Sequence, residues 1–156
     1  MRVHAIRLAE EADHDRLLAI YNAARRAAGC FHAPVATAEQ FAKLIEGEEI
    51  LVCEHEGRIA GFVGGWKSDR FIHHLYVLPE LQRRGIGSAL LNACQARLGS
   101  RVSLKCDASN LAAQAFYRRR GWVESGSGPG DFGPWIRLTL AQRGTNCDAP
   151  AGRTPE

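Results

Sequence analysis

The spacing of apolar residues changes from that of a strand to that of a helix around Gly85. Residues 72 to 78 form an apolar, β-rich run that Pro79 closes. Beyond Gly85, apolar side chains recur at helical spacing as far as Gly99: Ile86, Ala89, Leu90, Ala93, Cys94 and Leu98. A buried strand, a short turn and an amphipathic helix form a unit of proteins that mix strands and helices, so this segment restricts the fold strongly.

The rest of the chain also mixes strands and helices. The predicted elements are strands at 4–9, 50–53, 59–66, 72–78, 102–106, 122–124 and 135–140, and helices ending at Gly29, Gly47, Gly99 and Gly121. Thr37 and Gln40 predict a capping box at the start of the second helix. The order β-α-α-β-β-β-α-β-α-β-β predicts an α/β fold with a central twisted mixed sheet and helices on both faces.

Composition predicts one soluble globular domain. The 156 residues are 46% hydrophobic and 24% charged, and this length suffices for a core without disulfides. We assign residues 1–140 to the domain and expect the tail at 141–156, which lacks apolar periodicity, to be disordered. The formal charge of +3 is below the clustered excess of a nucleic-acid binder, and the triple Arg118, Arg119 and Arg120 is interpreted as a solvated face.

The cysteines predict a reducing compartment. Five are present, with no CxxC pair and no metal-ligand spacing to histidines, so we expect no metal. Cys53, Cys94 and Cys106 lie in apolar runs, as small buried hydrophobes do. With no signal-peptide core and no run long enough to span a membrane, we expect a cytoplasmic protein that binds no membrane.

The turn Gln82-Arg83-Arg84-Gly85-Ile86-Gly87 is a candidate anion site. The first N–H groups of a helix lack intrahelical partners, and the dipole there is positive. The glycines admit a ligand oxygen close to the backbone, and Ser88 adds a hydroxyl. A pyrophosphate fits these donors, although a Gly-x-Gly turn alone is equally typical of a tight turn with no ligand.

Two segments carry a family resemblance. The run from Leu75 to Gly87, Leu-Tyr-Val-Leu-Pro-Glu-Leu-Gln-Arg-Arg-Gly-Ile-Gly, resembles the acetyl-CoA signature of the GCN5-related N-acetyltransferase (GNAT) family. The run from Ser109 to Trp122 is similar to the family's Asn-x-x-Ala-x-x-Phe-Tyr-x-x-x-Gly-Phe element, with Trp122 in the last place. The resemblance implies an acyl-CoA N-acyltransferase fold and transfer of acetyl from acetyl-CoA, the cosubstrate, to an amine.

The resemblance also implies roles for particular residues. The cofactor contacts it implies are Leu75, Tyr76 and Val77 to the pantetheine arm, Gln82, Arg83, Arg84, Gly85, Ile86, Gly87 and Ser88 around the pyrophosphate, and Asn110 to the arm. Tyr117 would lie beside the sulfur as general acid, since a thiol leaves as an anion that a phenol can protonate or stabilise. The strands at 72–78 and 102–107 would splay apart to admit the thioester.

The proton acceptor departs from the family pattern. Where relatives often place a glutamate, this chain has Phe71 and Lys105. His73 and His74 are the substitutes, and strand alternation puts them on opposite faces unless a bulge intervenes. We favour His73, while packed structural histidines and a water chain to solvent stay open as alternatives.

The missing glutamate favours a weakly basic acceptor. Deprotonating a lysine amine at pH 7 costs about 4.6 kcal/mol, against about 1 kcal/mol for an α-amine. We therefore expect a small amine or a peptide N-terminus and not a protein lysine. The candidate acceptor-binding residues lie in the two connections that hold the acceptor in the family: Phe31, His32, Asp131, Phe132 and Trp135. The oligomeric state is open, a homodimer included.

Other functions compete with this one. A non-catalytic acyl-CoA binding or sensing module would keep the cofactor site without a proton acceptor. A dinucleotide oxidoreductase is weaker, because the third glycine and the later acidic residue are missing from the expected frame. A nucleic-acid binder lacks the basic face with interleaved aromatic residues.

Overall fold

A computed structural model describes residues 4–29, 35–131 and 133–140. The strands are β1 (Ala5–Leu8), β2 (Glu49–His55), β3 (Arg58–Trp66), β4 (Phe71–Val77), β5 (Ser103–Asp107), β6 (Trp122–Gly128) and β7 (Trp135–Leu140). The α-helices are α1 (His14–Ala28), α2 (Ala38–Leu44), α3 (Ile86–Leu98) and α4 (Leu111–Arg118). Short 3-10 turns at Glu11–Asp13 and Pro79–Leu81 are added to the predicted order, which is otherwise confirmed.

The strands form a single seven-stranded mixed sheet. Their order is β1-β2-β3-β4-β5-β7-β6. Every neighbouring pair is antiparallel except β4 and β5, which are parallel. The predicted mixed sheet is therefore confirmed, and within the described residues its one parallel pair lies at the centre.

Local sequence signals set the helix ends. Thr37 Oγ1 accepts from the Gln40 N–H at 3.2 Å, and Gln40 Oε1 accepts from the Thr37 N–H at 2.9 Å, so the predicted capping box is present. Gly29 ends α1 in the left-handed conformation at φ 71°, where a residue with a Cβ would be strained.

Helices cover both faces of the sheet. Phe62 of β3 contacts Phe41 of α2, whose ring lies 5.3 Å from that of Tyr21 on α1. The neighbouring Gly61 faces the other way, and a Cβ built there would lie 3.2 Å from Leu90 of α3. Because adjacent strand residues face opposite sides, α1 and α2 cover one face and α3 the other.

Buried cysteines belong to this core. Cys53, Cys94 and Cys106 are free thiols, buried as expected for small apolar side chains. Within the described ranges, no helix is long and apolar enough to cross a membrane. The tail predicted at 141–156 lies outside the described residues.

The connection after Trp122 differs from the prediction. We expected a glycine-rich loop from Ser125 to the last strand, but β6 continues to Gly128. Gly128 pairs with Trp135, and a register shift between Glu124 and Gly126 bends the strand. Serine and glycine have low strand propensity, so pairing with β7 decides the structure here.

Candidate active site

Strands β4 and β5 separate soon after they meet. Their parallel pairing covers only Phe71 with Ser103 and Ile72 with Leu104. Beyond Ile72, β4 stays paired with β3, and β5 with β7. The splayed gap implied by the family resemblance is thus present in the middle of the sheet.

This gap is a cleft lined by three elements. The lining residues are Ile72, His73, His74, Leu75 and Tyr76 of β4, Leu104, Lys105, Cys106 and Asp107 of β5, and Asn110, Ala113 and Tyr117 in and before α4. Six residues predicted from sequence, namely His73, His74, Leu75, Tyr76, Asn110 and Tyr117, are therefore brought together around one opening.

The predicted anion site forms the start of α3. Gly85 precedes the helix in the left-handed conformation at φ 85°. The Ala89 N–H donates to Gly85 O at 3.0 Å, as in the first turn of a helix. The N–H groups of residues 86, 87 and 88 precede that bond, so they have no acceptor within the helix. Gln82 Nε2 donates to Val77 O at 3.2 Å, which ties the turn to the end of β4. This donor set suits an anionic diphosphate.

Arg120 makes a contact that the sequence did not predict. Residues 118 to 120 are exposed, as expected of a solvated face, and within that face Arg120 reaches across to α3. Its Nε donates to Ser88 Oγ at 3.0 Å, and its Nη2 makes a shorter contact to the same oxygen. The guanidinium lies 3.8 Å from the centre of the Phe116 ring. The turn before α3 therefore has a cation beside it, whereas Arg118 forms a surface pair with Glu124.

Helix α4 presents Tyr117 to the cleft. Asn110 caps the helix, accepting from the Ala113 N–H through Oδ1 at 3.2 Å. The Tyr117 ring packs against Trp122 and Phe116, with centroids 5.6 and 5.2 Å apart. Burial raises the pKa of Tyr117, so the phenol keeps its proton at any working pH. A protonated phenol is the state that a general acid requires.

Both histidines contact one carboxylate. His73 Nδ1 is 2.7 Å from Glu48 Oε2, and His74 Nδ1 is 3.2 Å from Glu48 Oε1. The imidazole centroids are 3.9 Å apart. Strand alternation was expected to separate the two residues unless a bulge intervened, and a bulge is present: a register shift in the pairing of β3 and β4 pairs Gly64 with His74 and Gly65 with Ile72. His73 is the extra residue of that bulge.

Glu48 is a residue of this cluster that the sequence did not reveal. Its side chain is fully buried. Burial favours the neutral acid, but the hydrogen bonds from His73 and His74 outweigh it and lower the Glu48 pKa. Burial lowers the pKa of His74, against the opposing effect of Glu48. The ligand atoms of these three residues lie within 4.8 Å of one another, and the expectation of no metal stays a prediction.

The predicted acceptor-binding residues are only partly tested. Trp135 begins β7, donates from Nε1 to Pro129 O at 2.8 Å, and lies 4.1 Å beneath the Lys105 ammonium. Lys105 lines the cleft, so Trp135 is linked to the cleft through that side chain. Asp131 is exposed and is not among the cleft residues. Phe31, His32 and Phe132 lie outside the described residues.

Curated relatives are acyltransferases. The chain is 30% identical over 158 residues to the L-amino acid N-acyltransferase MnaT of Escherichia coli, covering 88% of this chain and 92% of that protein. It is 34% identical over 121 residues to mycothiol acetyltransferase of Kineococcus radiotolerans, covering 72% of this chain. The match spans only 39% of that longer relative.

Solved structures share the fold. A GCN5-related N-acetyltransferase from Rhodopseudomonas palustris superposes with a TM-score of 0.76 at 20% identity, covering 91% of this chain and 98% of that one. The yncA protein of Salmonella typhimurium, solved with acetyl-CoA, gives 0.65 at 18% identity, covering 89% and 94%. The model of the acetyltransferase (GNAT) family matches residues 9–122. The chain therefore belongs to the GNAT family of acetyltransferases.

Proposed function

We propose that this chain transfers acetyl from acetyl-CoA to the α-amino group of a small acceptor, an amino acid or a peptide N-terminus. The observation that carries the proposal is the cleft between β4 and β5, where Tyr117, Lys105 and the paired histidines line one opening. An amine that enters there meets a proton acceptor, an acid and a cation together. The GNAT family uses acetyl-CoA, which supplies the activated acyl group.

The chain's own groups suit this cosubstrate. The N–H groups of residues 86 to 88 and the nearby Arg120 would bind the diphosphate. After Ile72, β4 no longer pairs with β5. The edge of β4 that faces the gap would pair there with the pantetheine amides, as an added strand does. Asn110 uses Oδ1 for its helix cap, and its Nδ2 would donate to the same arm.

Tyr117 would complete the transfer. The amine nitrogen forms a bond to the acyl carbon, the carbon–sulfur bond breaks, and the phenol donates its proton or a hydrogen bond to the departing thiolate. Its raised pKa keeps the hydroxyl protonated until that moment. The competing non-catalytic sensing module was favoured by the missing glutamate, and a role of His73 as proton acceptor would supply what that glutamate provides.

Lys105 favours an acceptor that carries a carboxylate. Its ammonium lies over Trp135 at the cleft, where some relatives have a glutamate. The neighbouring Asp107 carboxylate is engaged by the Ser109 N–H at 2.8 Å and by the Ser109 hydroxyl. A cation at this place would attract the carboxylate of an amino acid and repel polyamines and lysine-rich peptides. The similarity to an L-amino acid N-acyltransferase supports this acceptor class.

An acceptor panel tests the proposal. Purified protein is incubated with acetyl-CoA and one acceptor at a time, and free thiol is measured. The panel contains free L-amino acids, their amides, a short peptide with a free N-terminus and Nα-acetyl-lysine, whose one amine is on the side chain. We expect free amino acids to give the highest kcat/KM. Faster turnover of Nα-acetyl-lysine than of every α-amine, or binding of acetyl-CoA with no thiol release, would contradict the proposal.

A further inference from the structure

Both cleft histidines meet at the carboxylate of Glu48, the residue before β2. One oxygen lies 2.7 Å from His73 Nδ1 and the other 3.2 Å from His74 Nδ1. The side chain has no exposed surface, so it cannot touch an acceptor amine in the cleft. Any influence of Glu48 on the acceptor must pass through a histidine.

This geometry selects one tautomer. An ionised carboxylate only accepts hydrogen bonds, and a neutral imidazole donates from one nitrogen and accepts at the other. With Nδ1 of His73 donating to Glu48, its Nε2 carries the lone pair. The buried carboxylate thus leaves a basic nitrogen on the far side of the ring.

Exposure distinguishes the two histidines. The side chain of His73 is 30% exposed, whereas that of His74 is 4% exposed. His74 is enclosed by Tyr21, Phe62 and Tyr76, whose rings have centroids 5.7 to 6.3 Å from its own. Only His73 can exchange a proton readily with water and with an acceptor. Trp66 stacks on His73 at 4.6 Å and holds the ring plane.

The glycines opposite the bulge make room for the carboxylate. A Cβ built on Gly64 would collide with Glu48 Oε1. Gly64 pairs with His74, and the register shift falls between Gly64 and Gly65. Gly64 and Gly65 therefore lie opposite the bulge that contains His73. The missing side chain of Gly64 leaves the space that the Glu48 carboxylate fills.

We propose that Glu48 is the positioning residue of the proton acceptor. It holds His73 as the Nδ1–H tautomer and stabilises the imidazolium that forms when Nε2 takes a proton from the acceptor ammonium. In that step an ammonium N–H bond breaks and an Nε2–H bond forms. The amine lone pair is freed for attack, and the proton later leaves to solvent. This inference rests on the proposed function.

Several other charged or titratable groups face Glu48 and His73. They are His74 and Tyr76 on β4, Tyr21 and Arg25 on α1, and Lys105, Cys106 and Asp107 on β5. All of them are unchanged in a Glu48 variant. A difference in pH dependence between such a variant and wild type then reports on the removed carboxylate.

Glu48→Gln tests the assignment by kinetics in the presence of EDTA, which removes contaminating metal. We expect kcat to fall by about 10-fold to 100-fold, less than the roughly 100-fold to 10,000-fold of losing the base itself because His73 remains, with acetyl-CoA Kd unchanged. The imidazolium that forms at Nε2 loses its buried counter-charge in this variant, so we expect the acid limb of the kcat/KM pH profile to move. A purely structural role would leave that limb in place. Glu48→Asp keeps the charge and should retain more activity than Glu48→Gln.

The matched control is Glu49→Gln. Glu49 is the next residue, and its carboxylate pairs with Arg97 on α3 through bonds of 2.6 and 2.8 Å, away from the cleft. We expect wild-type kcat and an unchanged pH profile for this variant. Wild-type kcat with an unmoved acid limb in Glu48→Gln would overturn the assignment.

Nitrogen-15 NMR of the wild-type imidazoles tests the same point without a variant. We expect the His73 ring to carry its proton on Nδ1 at neutral pH, and a proton on Nε2 would overturn the proposal even if Glu48 variants fail to fold. The measurement is independent of activity. If wild type acetylates no amine of the panel, the proposed function fails. The NMR result would still show whether Glu48 holds His73 as the Nδ1–H tautomer.

Discussion

The Nδ1 atom of His73 lies 2.7 Å from Oε2 of Glu48, although the residues are 25 positions apart. The contact joins the bulge of β4 to the residue before β2, and so places a buried carboxylate behind a histidine of the cleft. A chain that lacks glutamate at both aligned places thus still has a carboxylate hydrogen-bonded to the histidine that we propose as proton acceptor. The histidine, not the carboxylate, lines the cleft.

Replacing Tyr117 by Phe tests the general acid. The ring contacts with Phe116 and Trp122 are kept, and only the hydroxyl is lost. We expect kcat to fall by about 10-fold to 1,000-fold, with the acetyl-CoA Kd within about 2-fold of wild type. Steady-state kinetics and calorimetry measure the two quantities. Wild-type kcat would remove Tyr117 from the mechanism.

Replacing Lys105 by Met tests the acceptor class. The substitution keeps an unbranched side chain over Trp135 and removes the charge. We expect KM for a free amino acid to rise about 10-fold, which corresponds to about 1.4 kcal/mol, while KM for the matching amino acid amide stays the same. Equal changes for both acceptors would show that Lys105 does not pair with a carboxylate.

Arg120 and Arg118 form a matched pair of variants for the diphosphate site. Arg120 contacts Ser88 at the start of α3, and Arg118 pairs with Glu124 on the surface. We expect Arg120→Ala to raise the acetyl-CoA Kd by about 3-fold to 10-fold, more at low salt, because a cation beside an anion is lost. Arg118→Ala should leave Kd unchanged. Calorimetric titration at two salt concentrations measures both, and identical Kd values for the two variants would contradict the assignment.

Asp13 makes folding stability depend on pH. Its hydrogen bond with Arg7, 2.8 Å long, lowers the Asp13 pKa against the opposing effect of burial. The pKa of this carboxyl is lower in the folded protein than in the unfolded chain, where it is about 3.9. Its ionised form therefore stabilises the fold at pH values above about 3.9, and this contribution is lost as the pH falls through the pKa of the folded protein. Asp13→Asn should therefore destabilise by about 1 kcal/mol at pH 7, after allowance for the exposure of Arg7, and by much less at pH 3.

Urea denaturation at pH 7 and pH 3 measures this difference. Glu80→Gln is the control, because Glu80 and Arg58 are both exposed and 4.0 Å apart, so we expect almost no effect at either pH. A constant difference between Asp13→Asn and wild type across this range would show that the charge of Asp13 is not what stabilises the fold.

The order of helices and strands could be predicted because each element carries a local signal. Thr37 with Gln40 marks a helix start, and Gly29 a helix end. Likewise, the N–H groups before Ala89 could be predicted to be free of helix bonds, because that follows from where α3 begins. Local chemistry decides these features, so one sequence suffices.

The contact of both histidines with Glu48 could not be predicted, because it depends on pairing between strands. The alternation rule put His73 and His74 on opposite faces, and the bulge that overturns it is set opposite Gly64 and Gly65 of β3. Glu48 stands between Gly47 and Glu49 in the sequence, where it resembles a surface turn residue. Its burial depends on the space above Gly64, which no pattern within its own segment encodes.

The extension of β6 has a similar cause. Ser125 to Gly128 have the composition of a loop, and the backbone of β7 draws them into the sheet. The contact of Arg120 with Ser88 joins residues 32 positions apart on the exposed face, and it places a cation beside the start of α3. In both cases contacts between distant segments supply what the local sequence does not show.

A crystal structure with coenzyme A would show whether the cosubstrate binds as proposed. We expect the diphosphate to lie on the N–H groups of residues 86 to 88, and the sulfur to lie within hydrogen-bonding distance of the Tyr117 hydroxyl in the gap between β4 and β5. A diphosphate bound elsewhere, or a sulfur that does not approach Tyr117, would contradict the proposal.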